Sequence, residues 1–355
     1  MIIERHLEPG QSTWKQSNAI SNKAWRAIHK LLWSTRLVAS CTDNGIWYSD
    51  DGGEHWTQSD VTTGTIVTFS STAYSAGGPT VLRVFAGYSG GILYSDDDGE
   101  TWTQSSITDN CNSIITWHSS AQRVVASTPG SVGNIIYSND NGSTWAPATL
   151  AGDTIPAIKL LATKNNEGTI LAIPQQNSSS TARILHGNGM SFNKGSMPSQ
   201  TLGNYPSDII YHKPSGCYIV TGGQGTMDGL LCVTTTGIVE RSVSSSLKTS
   251  FTAIWNMPDI NSNTFIAVKS NNSIYKITKA DSGSTYTYEL FGQQVPAYPY
   301  AGIAITVNNN TRFVVCTNAG IYYADPEDVI KETSFVDRAG IQELVTQAKA
   351  YIDNL

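Results

Sequence analysis

Oxygen-bearing side chains crowd three short stretches of this 355-residue chain: SDDGGEHW from Ser49 to Trp56, SDDDGETW from Ser95 to Trp102, and SNDNGSTW from Ser138 to Trp145. Closely spaced carboxylates suit a hard cation, but the bidentate Glu that closes an EF-hand loop is absent. The same residues suit a turn better. Asp51, Asp97 and Asp140 can accept amide hydrogens of their own turn, and Gly53, Gly99 and Gly142 permit the positive φ it needs. Structural acceptors are expected here, not acids or metal ligands.

Other chemistries find no pattern. His6, His29, His55, His118, His186 and His212 show no metal-ligand spacing, and no G-x-S-x-G elbow occurs. Arg36, Arg83, Arg123, Arg183 and Arg312 fall near second-strand positions among alternating apolar residues, where charged ends are expected to snorkel from sheet edges. Cys41, Cys111, Cys217, Cys232 and Cys316 are odd in number and unpaired in spacing, so buried free thiols are expected. No catalytic residue, cofactor or metal is assigned.

The elements that carry the clusters repeat with them. Each cluster follows an apolar run ending in Tyr48, Tyr94 or Tyr137, and each ends in Thr-Trp or His-Trp. Strand chemistry thus leads into an Asp-Gly turn and out into a second strand, with Trp56, Trp102 and Trp145 covering the corner. The pattern S-x-D-x-G-x-T-W resembles the Asp box of sialidases, sortilin-type receptors, photosystem assembly factors and other β-propellers. That resemblance implies an all-β propeller.

Worn copies continue at Gly189 (HGNGMSF), Gly237 (VTTTGIV) and Gly283 (KADSGSTY, with Asp281 as the acceptor), giving intervals of 46, 43, 47, 48 and 46 residues. A four-stranded blade needs about that length. A seventh strand pair, FVVCTNAGIYYADPED from Phe313 to Asp328, echoes Leu37–Gly52 but lacks its outer strand. EPGQSTWKQS, residues 8–17, resembles the outer strand GETWTQSS and supplies it from the other end. The expectation is a single domain over residues 1–330, a seven-bladed propeller whose last blade is closed by an N-terminal strand.

After Asp328 the pattern changes. Residues 334–355 read as a short helix with Ile341, Val345, Ala348, Ile352 and Leu355 on one seam, suited to joining chains, with packing beneath its own propeller as the alternative. The abrupt end within this seam suggests a piece of a longer protein. AGIQELVTQAKAYIDNL resembles linkers of bacteriophage tail-fibre and adhesin proteins, which implies a homotrimer on a virion.

Composition narrows the partners. With 14% charged residues, a net charge of -6 and scattered Lys and Arg, there is no basic stripe for nucleic acid. No run of eighteen apolar residues and no signal-peptide pattern occurs, so neither membrane insertion nor Sec export is expected. Loops on the face away from the boxes concentrate Gln, Asn, Ser and Tyr. Tyr88, Tyr205, Tyr298 and Tyr300 offer flat faces to a sugar, and Gln176 and Asp228 offer polar contacts.

The function expected is a non-enzymatic receptor-binding head that recognises a host-surface glycan or protein. A sialidase-like hydrolase and an intracellular assembly scaffold are the alternatives. For the former, the first-blade strand AWRAIHKLL carries Arg26 without the Arg-Ile-Pro motif of that family.

Overall fold

The computed structural model describes residues 14–74, 80–117, 123–128, 135–150, 158–164, 167–174, 183–198, 205–223, 230–234, 239–242, 251–259, 261–280, 286–290 and 294–325. The expected helix and its seam, Ile341 to Leu355, lie outside them, as do Asp281, Gly283, Gln176 and Asp228.

Seven sheets, antiparallel but for one added strand in the fourth, form the blades of a β-propeller. The first blade comprises Trp25–Lys30, Leu37–Cys41, Gly45–Ser49 and Thr57–Gln58, hydrogen-bonded in chain order from the centre outward. The inner strands of the other six are Ile66–Tyr74, Ser113–Trp117, Ile158–Lys164, Tyr205–His212, Phe251–Asn256 and Pro299–Val307. Each inner strand touches the next, and the last touches the first, so the ring closes. In the seventh blade the outer strand is Lys15–Gln16, paired with Tyr323 and Tyr322. The two ends of the propeller thus meet in one sheet.

Most outer strands are two residues long, which limits exposed sheet edge. The fourth blade has an eight-residue outer strand, Ser191–Pro198, and covers part of it with an added parallel strand, Thr149–Leu150. Sequence spacing does not reveal that fifth strand.

The core is distributed between blades. Phe85 and Ile92 of the second blade pack with Ile114, Val124 and Ile136 of the third, and six comparable clusters fill the remaining gaps. Each fully buried aliphatic or aromatic side chain contributes roughly 1.5–3 kcal/mol. Neighbouring inner strands do not share a ladder, so hydroxyls bridge them: Ser40 Oγ donates to Ile66 O at 2.7 Å, and Ser70 Oγ accepts from Thr116 N at 3.0 Å.

One expectation about cysteine is corrected. Cys217 and Cys232 form a disulfide with a Cα–Cα separation of 5.9 Å, whereas Cys41, Cys111 and Cys316 are buried free thiols. Antiparallel register sets Ile219 opposite Cys232, which places Cys217 diagonally across on the same sheet face.

Candidate functional site

The repeated turn occupies one end of the ring. Ser49, Ser95 and Ser138 each accept from the amide of Gly53, Gly99 or Gly142 at 2.9, 2.9 and 2.7 Å. Each hydroxyl donates to Oδ1 of Asp51, Asp97 or Asp140 at 3.0, 2.8 and 2.7 Å. The same Oδ1 accepts from the amide of His55, Thr101 or Thr144, and Oδ2 engages that residue's side chain. Partial burial disfavours these carboxylates, but the converging donors outweigh it and hold their pKa below the ordinary value. Trp56, Trp102 and Trp145 close the turn by donating Nε1–H to the carbonyl of Gly53, Gly99 or Gly142.

Arginines join these turns between blades, a role the snorkelling expectation missed. Arg36 forks onto Asp50 at 2.6 and 2.9 Å and reaches Glu100 of the next blade at 2.9 Å. Arg83 repeats the arrangement with Asp96 and the Asn141 carbonyl, and Arg312 with Asp325 and Glu54. Arg123 uses Asn139 and the Asn188 carbonyl. Arg183 lies on a third strand, not a second. Arg36, Arg83, Arg123 and Arg312 are spent on holding the ring.

The opposite end is built differently. Six inner strands carry a β-bulge at their first turn, with Arg26, Val67, Lys159, Ser207, Thr252 and Tyr300 as the additional residues. A bulge breaks strand alternation and re-aims the side chain it carries. Hydroxyls satisfy the backbone left over: Ser40 Oγ accepts from Ala27 N at 3.1 Å and Thr221 Oγ1 from Asp208 N at 2.8 Å. The bulged residues therefore lie at the same end of six of the seven inner strands, opposite the Asp-Gly turns.

Two of them meet across the seam between the seventh and first blades. The Arg26 guanidinium lies 4.0 Å from the Tyr300 ring centroid, and Tyr298 meets Tyr300 edge to face at 5.4 Å. Asn318 fixes Tyr298 by accepting from its amide at 3.1 Å and donating to its carbonyl at 3.0 Å. Tyr298 is 37% exposed, and Arg26 is exposed as well. Arg26 Nε donates to Thr42 Oγ1 at 3.4 Å, and among the described residues no carboxylate pairs with this arginine. That separates it from Arg36, Arg83 and Arg312.

Of the aromatic residues singled out in the sequence, the structure brings Tyr298 and Tyr300 together. Tyr88 lies elsewhere and donates its hydroxyl to Gln104 Oε1 at 2.7 Å within its own blade. Tyr205 opens the fifth inner strand opposite Gly223. Asp208, which sequence reasoning did not single out, follows the bulge at Ser207. Its carboxylate accepts from Ile254 N at 3.0 Å and Ile209 N at 2.9 Å, while burial pushes its pKa up to about 6. Its position beside the bulge is legible only once register is known.

No protein-family model matches the sequence, and no curated protein matches it. Similarity to solved structures is found in the fold. YCF48 from Cyanidioschyzon merolae has a TM-score of 0.62 at 15% identity, covering 90% of this chain and 100% of that one. BBS1N, solved in complex with ARL6DN, has a TM-score of 0.57 at 13% identity, covering 89% and 96%. A GH74 xyloglucanase from Xanthomonas campestris has a TM-score of 0.55 at 13% identity, covering 86% of this chain and 43% of that one. At such identities the likeness carries the fold alone.

Proposed function

We propose that this propeller is a non-enzymatic recognition head that binds a glycan or protein on a host surface, carried by a bacteriophage tail fibre or spike. The observation that carries the binding reading is the bulged rim, where Arg26 and Tyr300 are lifted onto the open face beside exposed Tyr298. Flat amphipathic rings with a cation fit ligand recognition, and no bond-making step is required of them.

The phage setting rests on the resemblance of residues 339–355 to tail-fibre linkers. Three heads held by that segment would convert a weak contact into firm attachment, since later contacts become intramolecular. Asp208 is the feature that favours a hydrolase instead, because a carboxyl raised towards neutrality can serve as an acid. Its two amide donors give it a structural task between the fifth and sixth blades, which weighs against that alternative. Two similar folds are named for a glycan-directed enzyme and for a complex with another protein, so fold alone favours neither ligand class.

Light scattering on the full chain and on one ending at Glu332 tests the assembly. A trimer that becomes a monomer supports the multivalent head; a monomer in both removes avidity. Release of reducing sugar from a glycoside panel, abolished in Asp208→Asn, would replace recognition with hydrolysis.

A further inference from the structure

The rim offers a cation whose charge the protein itself leaves uncompensated among the described residues. Arg36, Arg83 and Arg312 each grip a carboxylate, whereas Arg26 rests on an aromatic face with only Nε engaged. Stacking on Tyr300 and the contact with Thr42 restrain a side chain that would otherwise sample many rotamers, so less entropy is lost when a ligand binds. The Nη edge is left for a planar, bidentate acceptor, and a carboxylate matches its geometry. Beside it, Tyr298 presents an amphipathic ring whose backbone is fixed on both sides by Asn318.

We propose that the ligand class of this rim is an acidic saccharide, its carboxylate held by Arg26 and the face of its ring, or of the adjoining sugar, laid on Tyr298. This rests on the glycan-recognition reading above and narrows it. Lys23 is exposed in the loop leading into the same strand, and Asp43 is exposed in the turn after Thr42, so the charges flanking Arg26 in sequence are of both signs.

The test is binding of the full chain to an array of oligosaccharides bearing hexuronate or nonulosonate residues, each printed beside its carboxyl-reduced counterpart and beside sulfated and neutral glycans. Arg26→Gln and Tyr298→Ala are compared on the same array, with thermal melts to verify folding. Expected is binding to a carboxylated member that weakens at least tenfold on carboxyl reduction. Arg26→Gln should lose that same factor for the acid and nothing for the reduced form, and Tyr298→Ala should weaken both. Retained binding to neutral glycans that ignores Arg26→Gln overturns the acidic class but leaves glycan recognition standing. Binding that follows sulfate in place of carboxylate also overturns it. Silence across the whole array, with the protein folded, removes the glycan reading together with this one.

Discussion

Arg83 grips both oxygens of Asp96, at 2.7 and 2.6 Å, while its third nitrogen donates to the carbonyl of Asn141 in the following blade at 2.9 Å. Propeller blades share no backbone ladder, so a planar fork that serves two turns at once adds to the side-chain packing and hydroxyl bridges that join neighbours. Asn141 sits at φ 56, next to Gly142 at φ 81, and that left-handed pair turns the carbonyl towards the arginine.

Removing the fork should therefore be costly. Arg83→Met keeps an aliphatic side chain but removes the guanidinium that lies over Tyr94 and leaves Asp96 and the Asn141 carbonyl without their donor, and we expect a loss of about 2 kcal/mol in urea unfolding. Arg83→Lys should recover little, because an ammonium cannot serve three acceptors in a plane. Arg26→Met, which breaks no carboxylate pair, should stay within roughly 0.5 kcal/mol of the parent. Equal effects at Arg83 and Arg26 would refute the staple.

Gly91 and Gly216 separate two reasons for glycine. Both have positive φ, at 124 and 65°, but a Cβ on Gly91 would lie 2.0 Å from the Ile107 carbonyl oxygen, whereas nothing lies within 4 Å of one on Gly216. That oxygen accepts from Ile92 N at 3.1 Å, so it cannot retreat without breaking the bond that ends the outer strand. Gly216→Ala should cost about 1 kcal/mol of left-handed strain. Gly91→Ala should cost several times more, read as a much larger fall in midpoint denaturant concentration.

His212 should give the fold an acid-sensitive limb. Burial pushes its pKa down to about 4, against a weaker upward pull from the Ser262 carbonyl, and Lys279 adds a repulsive charge. Since that carbonyl only accepts, Nε2 carries the hydrogen, and Nδ1 accepts from Ser215 Oγ at 2.5 Å; Tyr286 in turn donates to Ser215. A depressed pKa means the folded state resists the proton. The contribution is whole above about pH 6.5 and is lost as pH falls towards 4, amounting to about 3 kcal/mol. Asp208, with its pKa raised, acts in the opposite sense, losing stability as pH rises through about 6. The stability difference between the parent and His212→Gln, followed from pH 7 to 4, isolates the histidine. It should shift in favour of the variant as pH falls, and a constant difference would exclude the limb.

The ring was readable from the sequence because a tight turn imposes residue types at fixed offsets, and three intact turns set a period that the worn copies kept. Closure by the N-terminal strand was readable for the same reason, since W-K-Q-S repeats W-T-Q-S. What periodicity could not supply was anything decided across the ring. Arg36 meets Glu100 only because adjacent blades bring them together. Arg26 and Tyr300 lie near opposite ends of the chain, and the bulges that expose them depend on pairing register, which no run of residue types announces. Tyr88 looked equivalent to Tyr298 in composition, but a neighbouring glutamine in its own blade engages its hydroxyl.

Register also decided the cysteines. Cys217 and Cys232 are 15 residues apart, on adjacent strands of the fifth blade with their side chains on one face. Closing a loop of that length stabilises by about 3 kcal/mol in the chain-entropy account. Thiol titration in denaturant without reductant should count Cys41, Cys111 and Cys316, and all five cysteines after reduction. Replacing Cys217 and Cys232 together by Ala should lower unfolding stability by about that amount, whereas Cys111→Ala, which removes a buried thiol already raised to a pKa of about 12 by burial, should cost a cavity only. Five titratable thiols before reduction would show that the pair is not joined, and the double variant should then behave as two small cavities.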